Sequence, residues 1–233
     1  MILDDIVLRL APLRPPAGPF VIGVTGSVAV GKSTFAQQLA ERLGTGVGAV
    51  EIACTDGFLM PNARLEALGL LGQKGIPATY DHAALRSVLT GVRTGPVKIP
   101  AYSHVIYDVD PSLARRIDPP QVLLVEGLTL RHPDTGPPGL LDALIYLEAD
   151  EADLERWYVA RFLQLWEAAE HDPTSFYARF RGMTREQTDA LARMVWRDVN
   201  LKNLHDHIVH ARPLADLVAR KGPDHAILSV SPP

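Results

Sequence analysis

Two hydrophobic patterns alternate along the chain. Short unbroken apolar runs are separated by longer stretches in which apolar residues return every three or four positions. The runs FVIGVT (20–25), VGAVEIAC (47–54), QVLLV (121–125) and ALIYLE (143–148) have strand length and little polar alternation. They predict strands buried on both faces. Helical spacing covers 33–43, 81–92, 150–169 and about 184–210, and residues 215–219 and 226–230 predict two short final strands. Such strands separated by helices predict an α/β fold with a mostly parallel, doubly wound sheet. Ligands of these sheets lie at the carboxyl ends of the strands. That rule alone points to Gly26–Thr34, Asp56 and Glu126. Residues 1–18 predict a short lead-in helix and a proline-rich connector. Residues 19–233 predict a single domain with a helical lid or substrate region at about 150–210. RHPDTGPPG (131–139) reads as a surface loop by composition.

Composition narrows the partners. The 233 residues are 47% hydrophobic and 21% charged, with a net charge of −4. This argues against a protein that coats nucleic acid, whose footprint would be basic, and leaves room for a local basic pocket. The single cysteine, Cys54, permits no internal disulfide and reads as a small buried hydrophobe. No apolar run reaches membrane-spanning length, and Asp4 and Asp5 stand where a signal peptide would be basic. The expectation is a cytoplasmic protein with no nucleic-acid or membrane partner. His205, His207 and His210 have a spacing seen among metal ligands, but no cysteine or acid pattern completes a site. Trp157, Trp166 and Trp196 read as core.

GSVAVGKST, residues 26–34, carries the strongest chemistry. Gly26, Ser27, Val28, Ala29, Val30, Gly31, Lys32 and Ser33 fit G-x-x-x-x-G-K-[ST] throughout. In such a loop the backbone curls so that successive N–H groups meet phosphate oxygens. Lys32 would reach the β- and γ-phosphates, and Ser33 would offer its hydroxyl to Mg²⁺. The motif sits between a predicted strand and a predicted helix, which is the context that confirms it, with Thr34 inside the helix start. No N-K-x-D guanine-reading motif and no H-R-D or D-F-G kinase motif is present. Asp56, in CTDGF, falls just past the second strand, where a carboxylate could take a proton from an attacking hydroxyl, hold Mg²⁺ through water, or make a turn. Glu126 ends the third strand, in the place of a metal- or water-holding acid.

Two stretches point to a small organic partner. AYSHVIYDV (101–109) carries Tyr102, His104 and Tyr107, whose rings have apolar bodies and polar tips, although a half-buried strand would read the same way. ERWYVARFLQL (155–165), wound as a helix, puts Tyr158, Arg161, Phe162 and Leu165 on one face. A guanidinium in a buried stripe needs an anion. Arg161 could meet charge on a transferring phosphoryl group, or it could make a structural salt bridge or snorkel outward.

The ordered blocks GSVAVGKST, TDGFLMPN, KGIPATYD, YSHVIYDV, VEGL, WYVARFLQL, DPTSFY, WRDVNLKNL and KGPDHAI resemble type I (bacterial) pantothenate kinase, a P-loop kinase, from about Pro19 to Val230. The resemblance implies ATP-dependent phosphorylation of the primary hydroxyl of pantothenate, and a homodimer. Lys32 and Ser33 would serve ATP and Mg²⁺, Asp56 would be the base, and Arg161 would stabilise the transferring group. Tyr102, His104, Tyr107, Tyr158, Phe162, Tyr177 and Asn200 would surround pantothenate, and His225 would lie near the adenine. There are departures. About twenty residues stand where the family usually has a long helical extension before the P-loop strand. Gln37 replaces an arginine used in coenzyme A inhibition, Glu170 and His171 replace an aromatic, and Leu165 replaces an aromatic or methionine. A carboxylate near the pocket would disfavour an anionic acceptor. The rival readings are a kinase of a nucleoside or sugar-like alcohol, which would share the P-loop and strand-end acids, and a non-catalytic nucleotide-binding regulator. The regulator would be expected to carry a damaged Lys32, Asp56 or Arg161, and all three are intact.

Overall fold

A computed structural model describes residues 2–131 and 139–233. The chain opens with helix α1 (Ile2–Leu10), then strand β1 (Phe20–Gly26), helix α2 (Lys32–Val47) and strand β2 (Val50–Cys54). Helices α3 (Asn62–Ala67) and α4 (His82–Gly91) precede four short strands: β3 (Val97–Ile99), β4 (Tyr102–Ser103), β5 (Asp108–Val109) and β6 (Arg115–Ile117). Strands β7 (Val122–Glu126) and β8 (Ala143–Glu148) lead to helices α5 (Glu151–Ala168), α6 (Arg185–Val195) and α7 (Leu201–Asp206), and strands β9 (Leu217–Lys221) and β10 (Ile227–Ser231) finish the fold.

Six strands form the main sheet in the order β10-β9-β8-β1-β7-β2. All neighbours are parallel except β9 and β10. Every residue of β1 and of β7 is buried, as central strands covered on both faces require. The two chain-central acids follow from this order. Strand β7 lies between β1 and β2, so Glu126 ends beside the phosphate loop and Cys54 pairs with it from the far side. Asp56 sits one turn beyond.

The structure moves some expected boundaries. The second strand begins at Val50, because α2 runs on through Gly44 and Gly46 and takes Val47. The helical stretch from 184 divides into α6, a π-turn at Trp196–Asn200, and α7. The Thr184–Gln187 capping box fixes its start. The short helix α1 packs on α2 and β10, with Ile6 and Leu10 buried in the main core. Those two side chains contribute about 3–6 kcal/mol of burial between them. The expected loop at 131–139 lies almost wholly outside the described residues. Among the described residues no helix is long and apolar enough to cross a membrane.

Candidate active site

The loop between β1 and α2 turns through left-handed backbone at Ala29 (φ 65°) and Gly31 (φ 84°). Positions of this kind curl the chain into an anion-holding concavity, and Gly31 adopts its conformation without a Cβ clash against its own backbone. Helix α2 starts at Lys32, so its free N-terminal amides face the same place. The Ser27 hydroxyl is buried and has no hydrogen-bond partner among the described residues. The Lys32 ammonium donates to the carbonyls of Gly26 (3.2 Å) and Ser27 (2.9 Å). Burial lowers its pKa, while the charges of Glu126 and Asp56 hold it up. Val28 and Val30 line the loop's apolar side against the core, and Thr34 is exposed one residue after Ser33.

Sheet order brings the acids to this loop. Glu126, only 5% exposed, accepts a hydrogen bond from Ser33 Oγ at 2.8 Å. This pair of hard oxygen donors beside a phosphate loop suits Mg²⁺. Asp56 stands in a tight turn, Thr55–Phe58, whose position depends on two close approaches. A Cβ on Gly57 would lie 2.4 Å from the Pro100 carbonyl oxygen, and one on Gly127 would lie 1.8 Å from Thr55 Oγ1. The Tyr80 hydroxyl donates to Asp56 Oδ1 at 3.5 Å. Burial, then repulsion from Glu126, raises the Asp56 carboxyl above the usual carboxylate range, against the pull of Lys32 and His104.

Facing the acids is a continuous run of rings. Tyr102 meets His104 at 5.2 Å and Tyr107 at 5.9 Å, and Tyr107 stacks on Phe176 at 4.1 Å. Phe176 touches Tyr177, which meets Phe162 edge-on at 5.1 Å, and Phe162 lies 6.2 Å from Tyr158. Tyr102 and Tyr107 belong to the β4–β5 hairpin, Phe176 and Tyr177 to a short 3₁₀ turn, and the last two to α5. The π-turn carries Asn200 beside Tyr158, and the Asn200 side-chain amide donates to the Val195 carbonyl at 3.4 Å. Burial pushes the Tyr107 hydroxyl up to about 12, so it stays protonated and able to donate.

Of the settings left open for Arg161, the structure excludes the buried salt bridge. The arginine is exposed rather than buried, and among the described residues it makes no hydrogen bond or ion pair. The amphipathic stripe holds for Phe162, which is buried, while Tyr158 and Leu165 are half-buried. The guanidinium projects off the stripe, yet its charge is felt by Lys32, His104, Tyr107 and Tyr177. It is a cation facing the cleft with its donors uncommitted. His225 lies on the opposite side of the loop, exposed, stacked on Trp157 at 3.8 Å, with its Nδ1 3.9 Å from the place of a Gly31 Cβ. Lys32, Ser33, Asp56, Glu126 and Arg161 therefore share one field, and Tyr102, His104, Tyr107, Tyr158, Phe162, Tyr177 and Asn200 form one wall.

The family model for the phosphoribulokinase / uridine kinase family matches residues 21–157. The chain belongs to that family. Within it the chain groups with curated pantothenate kinases. It is 44% identical over 226 residues to the pantothenate kinase of Rhizobium rhizogenes, covering 91% of this chain and 68% of that one. It is 43% identical to that of Xanthobacter autotrophicus, covering 91% and 70%. The solved D-glycerate 3-kinase of Cryptococcus neoformans superposes with a TM-score of 0.65 at 14% identity, over 99% of this chain and 97% of that one, which shows the shared fold. The protein is an ATP-dependent kinase of the P-loop class.

Several residues of this family member escaped the reading of motifs. Lys74 sends its ammonium to Asn62 Oδ1, to the Tyr107 carbonyl (2.7 Å) and to the Tyr102 hydroxyl (3.2 Å), and lies over both rings at 4.9 and 4.7 Å. It ties the hairpin's two tyrosines to Asn62. Lys74, Tyr80, Asn62 and Phe176 all fall inside blocks quoted for the resemblance, but only the fold shows what they touch. The departures are placed as well. Gln37 is exposed and bonds Glu41 at 3.2 Å. Glu170 is exposed beyond the end of α5. Its side chain makes no hydrogen bond or ring contact with the aromatic wall among the described residues. Trp157 and Trp196 are buried in the core as expected, whereas Trp166 is half-buried and donates to the Phe180 carbonyl. His205 pairs with Glu151 at 2.7 Å.

Proposed function

We propose that this kinase transfers the γ-phosphoryl group of ATP to the primary hydroxyl of pantothenate. The observation that carries the reading is the convergence of the P-loop and Asp56, on the sheet side of the cleft, with Arg161, which α5 brings from the side of the ring wall. Asp56 takes the hydroxyl proton as the new O–P bond forms and the bond to the β-phosphate oxygen breaks, releasing ADP. A carboxyl held above its usual range by burial is a stronger base than an ordinary aspartate, which suits this role. Lys32 holds the β- and γ-phosphates, and Arg161 with its free donors offsets charge on the moving group. Ser33 and Glu126 would hold Mg²⁺, which when bound neutralises phosphate charge. The rings of Tyr102, Tyr107, Tyr158, Phe162 and Tyr177 enclose the acceptor's carbon skeleton, and His104 and Asn200 give it polar partners. His225 faces the base of the nucleotide.

Identity above 40% to proteins curated as pantothenate kinases supports this acceptor. We read it as a cytoplasmic enzyme and, as the resemblance to type I pantothenate kinase implies, a homodimer. We read residues 19–233 as the kinase body, with α5 to α7 supplying the acceptor wall. The test is ADP release from ATP across pantothenate, uridine, cytidine and glycerate. Stimulation by pantothenate alone is the expected result. Stimulation by another alcohol at higher kcat/KM would replace the acceptor, and equal silence across the panel would overturn the reading.

A further inference from the structure

Lys221, the last residue of β9 and the first of the KGPDHAI block, is a buried cation for which the transfer chemistry has no use: it is 6% exposed and far along the chain from the phosphate loop. Its Nζ donates to the Val30 carbonyl oxygen at 3.0 Å, inside the phosphate loop, and lies 2.9 Å from where a Cβ on Gly31 would stand. A trans peptide is planar, and its C=O and N–H point in opposite directions. Fixing the Val30 carbonyl therefore fixes the Gly31 amide, which has no acceptor among the described residues. That amide belongs to the group of N–H donors that a P-loop presents to phosphate. The β9–β10 turn is itself anchored: Gly222 bonds Ala226, and the Pro223 carbonyl accepts from Trp157 Nε1 (3.3 Å) and from Arg156 (2.7 Å), both on α5. The lysine thus reaches the loop from a braced support. Burying an ammonium costs free energy unless hydrogen bonds offset it, and burial does lower the Lys221 pKa.

We infer that Lys221 is a positioning residue: by holding the Val30 carbonyl it aims the Gly31 amide at the nucleotide's phosphates. This rests on the reading of the loop as the ATP site and deepens it. It makes Gly31 doubly constrained, by its left-handed φ and by the ammonium packed where a side chain would start. A merely structural lysine would affect all nucleotides alike. A lysine that aims a phosphate donor affects those with a β-phosphate.

The experiment measures ADP and AMP affinities by calorimetry with no acceptor present, for the wild type, K221M, K221Q and K221R. Working without acceptor keeps the test independent of whether pantothenate is the substrate. K221M is expected to weaken ADP about 10-fold or more, the scale of one charge-assisted hydrogen bond, and AMP by less than about 2-fold. K221Q, which can still donate to Val30, and K221R are expected to recover most of the ADP preference, and they carry the test if K221M does not fold. An unchanged ADP-to-AMP ratio in K221M, or a loss in both K221Q and K221R as deep as in K221M, would overturn the proposal. A wild type that binds ADP no better than AMP would instead contradict the phosphate-loop reading itself.

Discussion

The phosphate side of the cleft hangs from the sheet, whereas the acceptor side hangs from a hairpin, a short turn and one face of a helix. Lys32, Asp56 and Glu126 lie within two residues of strand ends or at a helix start, and their positions follow from parallel register. Close approaches at Gly57 and Gly127 leave that side little slack. The acceptor side is assembled from β4–β5, the Phe176–Phe180 turn, α5 and a π-turn, joined by ring contacts and by Lys74. Ring contacts slide more readily than ladder hydrogen bonds. The difference teaches where chemistry and selectivity reside: the rigid half fixes the transferring phosphorus, and the softer half decides which alcohol is brought to it.

Substitutions on the two halves should separate these roles. The largest effect belongs to D56N, which should lower kcat by about 10³-fold, the scale of a general base, with both substrates still binding. Its stability should move the other way. The Asp56 pKa is raised in the fold, so its contribution to stability is full below the unfolded-state pKa and is lost as pH rises through the raised value. The neutral amide escapes that loss, so D56N should melt above the wild type at pH 7. A lower melting temperature with activity kept would contradict the assignment.

Next is R161A. An exposed side chain with no ion pair among the described residues has little to lose structurally. Turnover should fall by about 10²-fold or more while the melting temperature stays put. A structural arginine would give the reverse pattern. On the soft half, Y107A removes the ring stacked on Phe176 and should raise KM for the acceptor about 10-fold, leaving KM for ATP within about 2-fold. Equal rises in both would mean the halves are not separate.

The smallest effect is on pH. Activity needs Asp56 ionised, so its acid limb should lie above the usual carboxylate range. The Tyr80 hydroxyl lowers the Asp56 pKa, so Y80F should move that limb to higher pH in a kcat/KM profile. A shift to lower pH would contradict the hydrogen bond's role.

The same division explains what could be read from the chain itself. Strands β1, β7 and β8 announce themselves because a doubly covered strand must be apolar throughout, and the P-loop because few residue types can hold its backbone. Strands β3 to β6 are two or three residues long, too short for any period to show. Lys74 and Lys221 were invisible as site residues because a lysine's usual place is solvent, and only tertiary contact puts one behind a ring wall and the other behind the phosphate loop. Arg161 was found on its helix face, with its exposure only one of three readings left open: periodicity gives the direction of a side chain, and the depth of the neighbouring cleft decides whether it meets water. The start of β2 was misplaced because Val47 is equally at home ending a helix or opening a strand.

The measurement that most directly tests convergence of the two halves on one phosphorus is a double-mutant cycle in single-turnover transfer from ATP to pantothenate. Residues acting on the same transition state are strongly non-additive. D56N/R161A should therefore transfer at about the rate of D56N alone, near 10³-fold below the wild type. A multiplicative loss, near 10⁵-fold, would show that the two residues serve independent steps and would contradict the account.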